Sequence, residues 1–159
     1  MTGALASSYY GRPRTTVAMD VVVVVAKHNV AKLVNILNDA GLIADEKKLD
    51  LARRSDYRIA RLEDRRSAHL LDVILANGKL ERKAGTIVGL RTFYQKPESL
   101  MLAKLRVMKA TLSPERVESD RGDIRTILKS TKIDLKTLRR KARAESTIGT
   151  LEELIRTSI

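Results

Sequence analysis

The chain of 159 residues contains no cysteine, which excludes a disulfide framework and any thiolate metal site. Its 31 lysines and arginines against 19 aspartates and glutamates give a formal charge of +12, a field that favours polyanions such as nucleic acid or nucleoside triphosphates. An apolar share of 43% excludes a disordered chain, and the longest apolar run, residues 21–26, is far short of the roughly 20 residues a membrane helix needs. One compact domain over 1–159, cytoplasmic and without a membrane partner, is the expectation.

Residues 21–25 are all valine, lie near charged residues and read as a strand buried on both faces. Val30, Leu33, Val34 and Leu37 follow at helical spacing, with Gly41 where a left-handed turn closes a helix. Residues 45–54 predict a short helix, residues 57–62 and 69–75 predict strands, and Asn77-Gly78 supplies a favoured hairpin turn. Residues 86–94 complete the strand set.

From Pro97 the period becomes helical, with Leu100, Ala103, Leu105 and Met108 apolar, and Ser113-Pro114 pairs a cap with a first helical residue. Thr150-Leu151-Glu152-Glu153 fits a capping box opening a last helix. The expected architecture is α/β (α+β): a mixed β-sheet flanked by helices over 1–96 and a helical C-terminal part over 97–159.

The stretch that carries chemistry is Gly3-Ala4-Leu5-Ala6-Ser7-Ser8-Tyr9-Tyr10-Gly11-Arg12-Pro13-Arg14-Thr15-Thr16-Val17-Ala18-Met19-Asp20, which runs into the valine strand. It resembles the signature of the DNA polymerase beta-like nucleotidyltransferase superfamily: a Gly-Gly or Gly-Ser pair, a Gly-x-Pro-Arg-x-Thr segment, and an Asp-x-Asp pair beginning a strand. Gly3, Gly11, Pro13, Arg14, Thr16 and Asp20 are in register with that pattern. Ala4 replaces the second small residue and Ala18 the first aspartate. The resemblance continues through Asp72 in Leu70-Leu71-Asp72-Val73-Ile74, through Pro97-Glu98-Ser99-Leu100 with Lys104, and through Asp120-Arg121-Gly122-Asp123-Ile124. It is nearest the abortive-infection and toxin-type branch.

Residues two apart on a strand face the same side, so an aspartate at position 18 would project beside Asp20, and Asp72 on a neighbouring strand would complete the cluster. Carboxylates suit magnesium, or manganese in its place, which binds triphosphate oxygens and offsets charge developing on the transferred phosphorus. The resemblance therefore implies transfer of a nucleoside monophosphate from a triphosphate such as ATP to an acceptor hydroxyl of RNA, protein or a small molecule. It implies Asp20 and Asp72 as metal ligands and catalytic residues, with Lys104 and Asp123 as further site residues. Gly3, Ala4, Arg14, Thr16 and Lys104 are the implied nucleotide contacts, and an antitoxin is an implied partner.

A methyl group at position 18 cannot coordinate a cation, so catalysis is expected to be impaired; the alternative is a nucleotide- or RNA-binding module that kept the fold and lost the chemistry. An engineered or a natural Ala18, and a shortened N-terminus, are equally compatible with the sequence. Lys104 and Asp123 have a plainer reading as a solvated lysine and an ion-pair partner. Arg139, Arg140, Lys141 and Arg143 are either an RNA-backbone contact or a solvated helix face, and His28 and His69 are assigned no role.

Overall fold

A computed structural model describes every residue except Arg12, Arg14, Asp56 and Ile159. The elements are α1 (Gly3–Tyr10), β1 (Ala18–Val24), α2 (Val30–Asp39), α3 (Glu46–Arg54), β2 (Ile59–Glu63), β3 (Leu70–Ala76), β4 (Arg82–Ile87), β5 (Leu90–Gln95), α4 (Pro97–Ala110), α5 (Pro114–Ser130), α6 (Leu135–Ala144) and α7 (Ile148–Ser158). A 3-10 turn at Lys27–Asn29 leads into α2. The fold is mixed α/β, and the chain divides into two compact units: Met1–Leu5 with Thr15–Leu80, and Ala6–Arg14 with Glu81–Ile159.

In the first unit the sheet order is β1-β3-β2, with β1 parallel and β2 antiparallel to β3. Strand alternation sorts its two faces. Val21, Val23, Leu71, Val73, Leu75, Ala60 and Leu62 join Val30, Val34 and Leu37 of α2 and Leu49 and Ala52 of α3 in one apolar core. Asp45 caps α3 by accepting the Lys48 N–H at 2.7 Å, with Glu46 in the first turn and Arg53 and Arg54 in the last, each suited to the helix dipole. Gly41, at φ +90°, follows α2 as its spacing predicts.

The valine run departs from expectation. β1 is one of the two edge strands of this sheet, and none of its residues is fully buried. An unbroken β-branched run reports strand propensity; two-sided burial needs an apolar layer packed on each face of the sheet, which composition does not specify.

In the second unit β4 and β5 form an antiparallel hairpin whose two-residue turn is Val88-Gly89, at φ +48° and +77°, between the partners Ile87 and Leu90. Residues 86–94 are thus the tip and second arm of a hairpin rather than one strand. Asn77-Gly78 does not join paired strands, although Gly78 does adopt φ +84°. Two positive φ values are the requirement of a type I′ turn, and Asn-Gly meets it better than Val-Gly does, so the stronger signal lay at the wrong place.

Helices α4 to α7 follow, with α5 packing on α4 and α7, and α6 on α4 and α7. Leu100, Met101, Leu105, Ile124, Ile127, Leu138, Leu151 and Leu154 form their fully buried interior. Pro97 and Pro114 open α4 and α5 as expected, and Ser113 accepts the Arg116 N–H at 3.3 Å. Helix α7 begins at Ile148, so Thr150 lies within it, and Glu153 holds Arg121 instead of an N-terminal amide. Thr150 and Glu153 therefore form no capping box. The end of α1 belongs to this unit: Tyr10 donates its hydroxyl to the Gln95 carbonyl at 2.9 Å, and the Tyr9 ring stacks on Tyr94 at 4.0 Å.

Candidate active site around Asp20 and Asp72

The sheet of the first unit presents a polar row on the face opposite its core. Asp72 of β3 is the register partner of both Asp20 of β1 and Arg61 of β2, so the three side chains leave the sheet on the same side. Adjacent strands lie about 4.8 Å apart, which sets the spacing of the two carboxylate-bearing positions. Ala18, two residues before Asp20, is on that face as well, opposite Leu70. Its methyl group stands where a further carboxylate would extend the row.

Gly3 borders the row. It has φ +56°, and a Cβ built on it would overlap the Asp20 carboxylate, so both the backbone angle and the close approach require glycine. The Thr2 N–H donates to the Asp20 carbonyl at 2.9 Å, fastening the chain ahead of α1 along the outer edge of β1. The Asp20 carboxylate therefore lies against the first residue of a helix, where the helix dipole favours negative charge.

Asp72 is 8% exposed and is engaged by Arg61, whose Nε and Nη2 donate to its two carboxylate oxygens at 2.8 and 2.7 Å. This is a side-by-side fork, the strong geometry for an arginine–carboxylate pair. The Arg61 guanidinium is held above its ordinary pKa, first by these hydrogen bonds, then by the Asp72 charge, and to a lesser degree by the Asp20 charge. Both acids thus act on one cation.

The donor set suits a divalent cation in kind: two carboxylates on one face are what magnesium commonly takes from a protein when phosphate and water complete its shell. In the structure both oxygens of Asp72 are taken by Arg61. Among the described residues no group of three His, Cys, Asp or Glu side chains is arranged to hold a metal ion.

Of the other residues singled out in the sequence, Ala4 is buried in α1, and Thr16 is exposed with its hydroxyl donating to the Ala18 carbonyl at 2.8 Å. Arg14 lies outside the described residues. Lys104 and Asp123, in the second unit, are brought together with a residue to which the sequence reading gave no role. The Lys104 ammonium is 2.7 Å from both Asp120 and Asp123, and Arg116 adds a 3.2 Å contact to Asp120. Lys104 is buried rather than solvated, and the cluster ties α4 to α5. Asp120 and Asp123 are one helical turn apart, a spacing that could have signalled a shared partner.

Arg61 was also missed. Its signal was the alternation of Ile59 to Glu63, in which Ala60 and Leu62 face the core and Arg61 must face away. On α6, Arg139 pairs with Glu152 and Lys141 with Glu81, so half of that basic cluster is occupied by intramolecular partners, while Arg140 and Arg143 are exposed. His28 and His69 are exposed. No described protein family and no curated protein matches the chain.

Proposed function

We propose that this protein is a nucleotidyltransferase of the polymerase beta-like type, impaired as it stands by Ala18, which moves a nucleoside monophosphate from a triphosphate to an acceptor hydroxyl of RNA, protein or a small molecule. The observation that carries this reading is the register of Asp20 with Asp72 on one face of a parallel strand pair, beside a glycine whose missing side chain makes room for the Asp20 carboxylate. Strand spacing brings the two acids near one another, and the amides at the start of α1 offer donors to phosphate oxygens. Magnesium or manganese, when bound by Asp20 and Asp72, supplies charge stabilisation for the transferred phosphoryl group. The chain's own contribution is positioning: Gly3 admits close approach, β1 and β3 fix the two carboxylates, and Arg61 offers a planar donor fork on the same face.

A second reading, a nucleotide- or RNA-binding module without chemistry, is favoured by Ala18 and by the Arg61 clamp on Asp72. Both readings fit the charge of +12. Incubation with magnesium, labelled triphosphates and total RNA, run for the native chain and for Ala18→Asp, separates them. Label transferred by the variant and barely by the native chain is the expected result. Triphosphate binding without transfer by either supports the binding module, and neither binding nor transfer removes both readings.

A further inference from the structure

We propose that Arg61 is a tethered cation that occupies Asp72 in the metal-free state and must be displaced before a divalent ion can bind; this rests on reading Asp20 and Asp72 as the metal-holding pair. Three observations carry it. The first is position: Arg61 is the register partner of Asp72 across β2 and β3, so no rearrangement of backbone is needed to bring the guanidinium over the acidic row. The second is the completeness of the contact, since both oxygens of Asp72 accept from Arg61, at 2.8 and 2.7 Å. A cation arriving at the same oxygens meets a positive charge already seated there.

The third is exposure of the right group. The Arg61 side chain is 62% exposed whereas that of Asp72 is 12% exposed, so the arginine can swing into water while the carboxylate stays fixed in the sheet. Long basic side chains lose little by such a move, because their heads remain solvated. The displaced guanidinium keeps its charge at any accessible pH and stays beside the row, where a phosphate oxygen pair would satisfy the same donor fork. Arg61 is thus a positioning residue that sets the threshold for metal entry and not a ligand of the metal.

The test is binding of Mn2+ alone to the full chain, followed by loss of the free-ion paramagnetic resonance signal, for the native protein, Arg61→Gln, Arg61→Lys, Asp72→Asn and Asp20→Asn. The expected result is an affinity about tenfold or more higher in Arg61→Gln than in the native chain, the equivalent of removing one seated charge pair. Arg61→Lys, which keeps the charge but loses the fork, should fall between them, and both aspartate variants should bind more weakly than native. Thermal midpoints with and without Mn2+ give a second readout, with the larger Mn2+-dependent rise in Arg61→Gln. Equal or weaker Mn2+ binding by Arg61→Gln, with the aspartate variants still impaired, overturns the role of Arg61 and leaves the acid pair standing. Mn2+ binding that ignores Asp20 and Asp72 in every background removes the acid-pair reading, and this inference with it.

Discussion

Replacing Lys104 by methionine separates a structural from a ligand-binding role for the buried cluster of the second unit. The Lys104, Asp120 and Asp123 side chains are 6%, 1% and 10% exposed, and the ammonium lies 2.7 Å from each acid. Methionine matches the length of the stem but removes the ammonium shared by two carboxylates a turn apart on α5, while Arg116, itself 60% exposed, stays on Asp120. Breaking a buried ion pair by removing one partner costs about 3–5 kcal/mol, a large part of the roughly 5–15 kcal/mol by which domains are stable. Urea unfolding followed by far-ultraviolet circular dichroism should therefore show Lys104→Met weakened by about 3 kcal/mol or more. Removing all three charges together, as Lys104→Met with Asp120→Leu and Asp123→Leu, should recover most of that loss, because an apolar replacement of a buried ion cluster is commonly neutral. A loss below about 1 kcal/mol in the single variant, or no recovery in the triple, refutes the argument that these charges hold α4 on α5.

Further outcomes follow from particular backbone and burial features. Gly3→Ala should cost more than Gly41→Ala: both glycines have positive φ, worth about 1–2 kcal/mol to a side chain, but a Cβ at Gly41 meets nothing within 4 Å while one at Gly3 strikes Asp20. Equal melting shifts in the two variants would contradict that packing. Val88→Asn should stabilise the protein by about 1 kcal/mol in thermal unfolding, since a β-branched residue at φ +48° is strained and asparagine suits the first position of a type I′ turn; a destabilised variant would show that the turn has another form. The Tyr10 hydroxyl is pushed up to about 12 from 10.0, chiefly by burial and then by Tyr9, Glu98 and Tyr94. A folded value above the unfolded one means that the neutral phenol supports folding. That support is complete below about pH 10 and is lost as pH climbs towards 12, so stability should fall across this window and fall less steeply in Tyr10→Phe.

Period and capping made much of the fold legible in advance. Helices α2 to α5 announced themselves through apolar spacing, Pro97 and Ser113-Pro114, because these act within one or two turns of chain. The valine run revealed a strand but not its place at the sheet edge, since pairing is a property of the partner strands. Val88 was invisible as a turn residue because the tertiary structure imposes an angle that its own chemistry disfavours. In the candidate site, the shared face of Asp20 and Asp72 was readable from the two-residue period and the order of motifs, whereas the Arg61 fork depends on which strand pairs with β3. Lys104 and Asp123 were given site roles and Asp120 none, because a buried ion cluster is defined by packing between α4 and α5 rather than by any one segment.

The most direct measurement of the acid pair is crystallographic: Ala18→Asp soaked with Mn2+ and a non-hydrolysable triphosphate, with anomalous scattering recorded at the manganese edge. The proposal predicts a manganese peak in coordination range of carboxylate oxygens from both Asp20 and Asp72, with phosphate oxygens completing the shell. Manganese bound elsewhere, or triphosphate bound away from this row with Asp72 still clasped by Arg61, would contradict it.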